Sequence, residues 1–219
     1  MRYRTLTLCS LLIAATCLTG CASTRIELAD HFGYAKRDQL VDNVQAARDG
    51  QEAAKQQFSS ALDEFLAVTD ADVGELDKAY TSLRKQLERS EDRAEKVRDR
   101  IRSVERVALS LFREWEKELD EYQSDALRET SKRQLEETRL LYARLLASMK
   151  QAESKMEPVL AAFRDQVLFL KHNLNAHAIA ALSETASGIE NDVAALIKDL
   201  EASITEANAF IDQLSADRG

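Results

Sequence analysis

Turn-forming residues are scarce: the 219 residues include one proline, Pro158, and six glycines. Few tight turns are therefore available, and no stretch alternates apolar and polar residues as a half-buried strand would. The three cysteines, Cys9, Cys17 and Cys21, all fall in the first 21 positions. No disulfide can form within 22–219, so packing must supply the stability of that part. A basic excess is also lacking, with 30 Lys and Arg against 38 Asp and Glu and a net charge of −8. That balance excludes a phosphate-backbone interface and argues against docking on an anionic membrane surface. Phosphate-binding and nucleophile-elbow glycine motifs are missing. The histidines, His31, His172 and His177, include no pair four apart on a helix, and no Glu-x-x-His pair occurs. The expectation is a protein with no metal, no cofactor and no enzymatic activity.

The N-terminus is the first informative segment. Arg2 and Arg4 precede an apolar stretch from Leu6 to Leu18, which is too short for a membrane span of about 20 residues. It ends in Leu18-Thr19-Gly20-Cys21. This string resembles the lipobox of bacterial lipoproteins. The resemblance implies that 1–20 is a signal peptide, that small Thr19 and Gly20 admit the peptidase, and that the Cys21 thiol takes a diacylglyceryl group. A lipid on Cys21 would be the membrane anchor, with acyl chains contributing about 0.8 kcal/mol per buried methylene. Cleavage removes Arg2 and Arg4 and no acid, leaving 28 basic against 38 acidic residues, a net of −10. Ala22 rather than Asp follows the cysteine, which by the same resemblance points to the outer membrane and its periplasmic face.

Beyond Cys21 the sequence is dominated by heptads. Apolar residues recur at alternating spacings of three and four, the coiled-coil period. The first stripe is Leu40, Val44, Ala47, Gln51, Ala54, Phe58, Ala61 and Phe65, and the second runs from Leu76 to Trp115 and on to Leu119 and Tyr122. A third runs from Tyr142 through Phe163 to Leu174, and a fourth from Ile179 through Leu200 to Ile204 and Leu214. The last three each contain one extra step of four, a stutter that locally unwinds a left-handed supercoil. Ala47, Ala54, Ala61, Ala94 and Ala108 mark close helix approach. The densely charged run from Arg84 to Arg106 reads as a solvated face laced with pairs four residues apart.

Turn chemistry divides the stripes. Thr69–Gly74 offers acidic caps and a glycine, and His172–Ala176 offers two asparagines. A break between the second and third segments is expected near 124–131, with Ser131 and Gln134 as a weak capping box, against one unbroken helix from 75 to 172. The fold class is thus all-α, an elongated antiparallel bundle of three or four helices, each about 60–75 Å long. Residues 1–20 are the signal peptide, 21–30 the lipidated cysteine with a short tether, and 31–219 a single helical domain.

Candidate interaction residues are few. The most apolar stretch, 158–182, is interrupted by Arg164, Asp165 and Lys171 and is no transmembrane helix. Pro158 would kink the helix before it. Extra burial in the bundle explains the stretch, and a patch for another protein or a lipid-inserting tip is the sharper alternative. Trp115 falls on the stripe, as a core residue with its indole N–H at the rim or as a partner anchor.

Several strings together resemble a known family. They are Lys36-Arg37-Asp38, Glu114-Trp115, Glu118-Leu119 near Tyr122, Pro158-Val159-Leu160 and, most specific, Asp165 to Ala176 with Phe169, Lys171, His172, Asn173 and Asn175. They look like a family of exported Gram-negative proteins known only as domain of unknown function 2959. The resemblance implies a helical envelope protein without assigned activity. Two roles are open: a periplasmic scaffold or interaction module with an envelope protein partner, or a membrane-active helical protein that exposes 158–182. A homo-oligomer is compatible with either.

Overall fold

A computed structural model describes residues 21–216, with side chains from Lys36 onward. Residues 1–20, expected to be a signal peptide with Leu18, Thr19 and Gly20 at its cleavage site, lie outside the described residues, as do the side chains of Cys21 and His31. Four helices follow in chain order: α1 Cys21–Thr69, α2 Leu76–Leu119, α3 Asp125–His172 and α4 Ala176–Ala216. They hold 49, 44, 48 and 41 residues, or about 74, 66, 72 and 62 Å at 1.5 Å per residue. Residues 21–30, expected as a short tether, form the first turns of α1.

The helices form a ring. α1 packs on α2 and α4, and α3 packs on α2 and α4. Short connections make successive helices antiparallel. The 70–75 and 173–175 connections therefore lie at one end of the bundle. The 120–124 connection lies at the other, from which α1 projects toward Cys21. No strand occurs among the described residues.

The heptad stripes are the core. All eight stripe residues from Leu40 to Phe65 are buried, as are the five close-approach alanines. Phe58, Phe65, Phe163 and Phe210 are fully enclosed. Burying this stripe holds the helices, because isolated charged helices gain little from propensity alone.

Two stripes differ from expectation through a polar core residue each, and Tyr122 and Leu174, expected to end the α2 and α3 stripes, fall in the connections beyond those helices and are exposed. α3 begins at Asp125, capped by the Ser124 hydroxyl, which accepts from the Leu127 N–H at 3.4 Å. The break is present, but Ser131 is no cap: it is buried in the interior of α3. Ser131, Leu135 and Thr138 extend the α3 stripe about three turns before Tyr142. In α4 the stripe passes from Leu200 to fully buried Ser203, while Ile204 is only half-buried. The regular three-four alternation continues there, and the stutter assigned to that helix is absent. Asp72 precedes a 3₁₀ turn, Val73–Glu75, but its side chain caps nothing. Pro158 sits inside α3, which continues through it to His172.

The charged α2 run does more than coat a surface. Glu91, Arg98 and Glu105 stand one heptad apart and reach Arg164, Glu157 and Lys150 of α3 at 2.6, 2.9 and 3.6 Å. Glu116 meets Arg139 at 2.7 Å. In all four pairs the two residue numbers add to the same value, as one antiparallel register requires. Each exposed pair contributes little energy, at most about 1 kcal/mol. As a ladder they disfavour a slipped α2·α3 seam, where like charges would meet.

Candidate functional site

Two clusters of the sequence-predicted residues survive in the structure, at opposite ends. Trp115 is near the 120–124 end, where its indole N–H donates to the Ser131 hydroxyl at 2.8 Å. The Arg37 guanidinium lies over the Trp115 ring, 4.1 Å from its centroid. Lys36 and Glu114 pair beside it at 2.6 Å. Trp115 thus ties α1, α2 and α3 together at 7% exposure, and it offers a partner little surface. In sequence the Trp115–Ser131 pairing is hidden, because Ser131 has the look of a cap.

The remaining predicted residues cluster at the α3–α4 connection. Ser131 and His172 are 41 residues apart along α3, about 62 Å, so Trp115 and this cluster are not one site. The Asn173 side-chain amide donates to the Phe169 carbonyl at 2.9 Å, closing the end of α3. The Asn175 side-chain oxygen accepts from the His177 and Ala178 N–H groups at 3.0 and 3.2 Å, capping α4. Both asparagines therefore shape the turn. Phe169 is half-buried against the core. Lys171 and His172 are exposed, as are Leu168 and Leu174. Val73, on the neighbouring 70–75 connection, is exposed at the same end and carried no signal in the sequence. An open cleft of about 240 Å³ lies nearby between α1 and α2, lined by Glu64, Val68, Ala71, Glu75, Lys78 and Ser82. The Lys78 ammonium donates to Glu75 at 2.9 Å, which leaves Glu64 to give the lining a net negative charge.

Among the described residues no three His, Cys, Asp or Glu side chains are grouped to hold a metal ion. No helix among them is long and apolar enough to cross a membrane. Within 158–182, Val159, Leu160, Phe163, Val167, Leu170, Ala178 and Leu182 are core residues.

A family model described as a protein of unknown function, DUF2959, matches residues 26–214. The chain belongs to this family. The match reaches into all four helices of the bundle, and the family's description assigns no activity. Neither the curated proteins nor the solved structures yielded a match.

One titrating group packs against the core. The Tyr142 ring packs edge-on against Phe112, with centroids 5.4 Å apart. Burial, reinforced by the nearby Glu105 charge, pushes its phenol from 10.0 up to about 12. The unfolded chain then loses this proton first. The contribution is fully present below pH 10 and is lost as pH rises toward about 12. Tyr142→Phe is expected to lose less stability than the wild type across that window. Urea midpoints measured at successive pH values check this.

Proposed function

We propose that this family member is a lipid-anchored periplasmic scaffold of the outer membrane, with Cys21 as the anchor and another envelope protein as its partner. The observation that carries this is the placement of Leu18-Thr19-Gly20-Cys21 directly before α1, which runs from Cys21 into the bundle wall without a break. A helix needs no flexible linker to hold the bundle off the membrane. The 120–124 connection would then lie near the membrane. The 70–75 and 173–175 connections would lie roughly 60–70 Å further out, where Val73, Leu168, Lys171, His172 and Leu174 are exposed. A rod with one tethered end and a free end that exposes Val73, Leu168 and Leu174 among polar residues suits contact at a distance.

The membrane-active alternative asks 158–182 to be exposed. Leu168 and Leu174 are the only large apolar side chains that segment exposes, so contact with protein is favoured. Crosslinking in intact envelopes tests the scaffold. Photoreactive residues at Leu168 and Leu174 are expected to capture the same envelope protein reproducibly. Reproducible capture of lipid alone would favour the membrane-active role, and capture of nothing would remove the support for a partner at this tip.

A further inference from the structure

Three of the four seams in the ring have their register set by a connection: 70–75 joins α1 to α2, 120–124 joins α2 to α3, and 173–175 joins α3 to α4. The α1·α4 seam has none. It closes the ring between the two ends of the chain, so its register must be encoded in side chains. The only polar residue on the α1 stripe from Leu40 to Phe65 is Gln51, and the only one on the α4 stripe from Leu182 to Leu214 is Ser203. Both are fully buried, and the Ser203 hydroxyl donates to the Gln51 side-chain oxygen at 3.0 Å. The Gln51 amide nitrogen has no hydrogen-bond partner. That orphan donor makes the pair a poor source of stability and fits a role in specificity.

The alternatives are costly. A slip of one heptad would set Gln51 opposite Leu196 or Phe210, and a half-heptad slip would set it opposite Leu200 or Ala207. Each would leave the whole amide buried against apolar side chains. The Arg48–Asn208 hydrogen bond at 3.1 Å and the Lys55–Glu201 pair at 3.6 Å flank the same register at the rim. We propose that the Gln51–Ser203 pair is a register lock, which selects closure of the ring by the chain's own α4 over a slipped seam or closure by the α4 of a second copy.

The test uses the full chain carrying Arg48→Cys with Asn208→Cys, in register, or with Ser215→Cys, one heptad out. A short bifunctional thiol reagent links the pair, and peptide masses identify the products. Isotopically light and heavy copies refolded together separate links within a chain from links between chains. Without a core substitution, the in-register intrachain link should dominate. Gln51→Met, nearly the same length without the amide, should raise the ratio of slipped plus interchain links to in-register links by about tenfold. Exchanging the pair, Gln51→Ser with Ser203→Gln, should bring the ratio back down. An unchanged ratio in Gln51→Met, or an exchange variant whose ratio stays as high as that of Gln51→Met, overturns the lock.

Discussion

Phe163→Ala is expected to lower unfolding stability by about 3–5 kcal/mol. Phe163 is 1% exposed and meets Phe65 edge to face, with centroids 6.2 Å apart. Truncation removes the ring from α3 and leaves a void that α1 must line. Long helices on continuous stripes cannot collapse locally into that void, because a shift at one layer disturbs the layers above and below. The loss is a large share of the roughly 5–15 kcal/mol that holds a domain together. At about 2–4 °C per kcal/mol for a chain of this size, the melting temperature should fall by more than 5 °C. Phe65→Ala should cost a similar amount, and the double variant should cost less than the two combined, by about 0.5–1.5 kcal/mol for the lost ring pair. Urea unfolding followed by far-ultraviolet circular dichroism measures all three. A loss below about 1 kcal/mol for Phe163→Ala would contradict the enclosed core.

Trp115→Ala should destabilise by a comparable amount, about 3–5 kcal/mol, for a different reason. The ring itself is 7% exposed, so its burial accounts for much of the loss. The indole also satisfies the buried Ser131 hydroxyl and supports the Arg37 guanidinium. Removing it therefore loosens three helices at one end at once. Trp115→Phe keeps most of the ring contact and loses the N–H donor. It should cost about 1–3 kcal/mol, the range for stranding a buried polar partner. Hydrogen exchange should localise the damage: in Trp115→Ala, amides near Ser131 should lose protection before those near Phe163. Uniform loss along α3 would contradict a local clamp.

Much of this architecture was readable from spacing. Wherever the core residue is apolar, as from Leu40 to Phe65 apart from Gln51 itself, the three-four alternation identifies the buried face. It reaches Ser90 on α2 but misses Ser131, Thr138 and Ser203. Serine before a helix is commonly a cap, and Ser131 looks like one in sequence, yet the donor from Trp115 makes it a core residue. Hydropathy favours Ile204 for the α4 stripe, while the hydrogen bond to Gln51 favours Ser203. Such pairing lies between helices far apart in sequence, which a stripe on one helix does not reveal. The charge ladder was hidden likewise. Glu91, Arg98 and Glu105 recur at heptad spacing, but their partners on α3 emerge only once the antiparallel register is known. At the α3–α4 turn, Asn173 and Asn175 were marked both as turn formers and as interaction candidates. Their hydrogen bonds go to the backbone, which leaves Leu168, Lys171, His172 and Leu174 as the surface they present.

The tether through Cys21 is the central claim, and Cys21→Ser tests it most directly. The substitution would remove the proposed acceptor thiol and leave the sequence of the core from Leu40 onward unchanged. Fractionation should therefore find wild type with the membranes and the variant in the soluble fraction, with both equally helical by circular dichroism. A folded variant that stays with the membranes would contradict the tether.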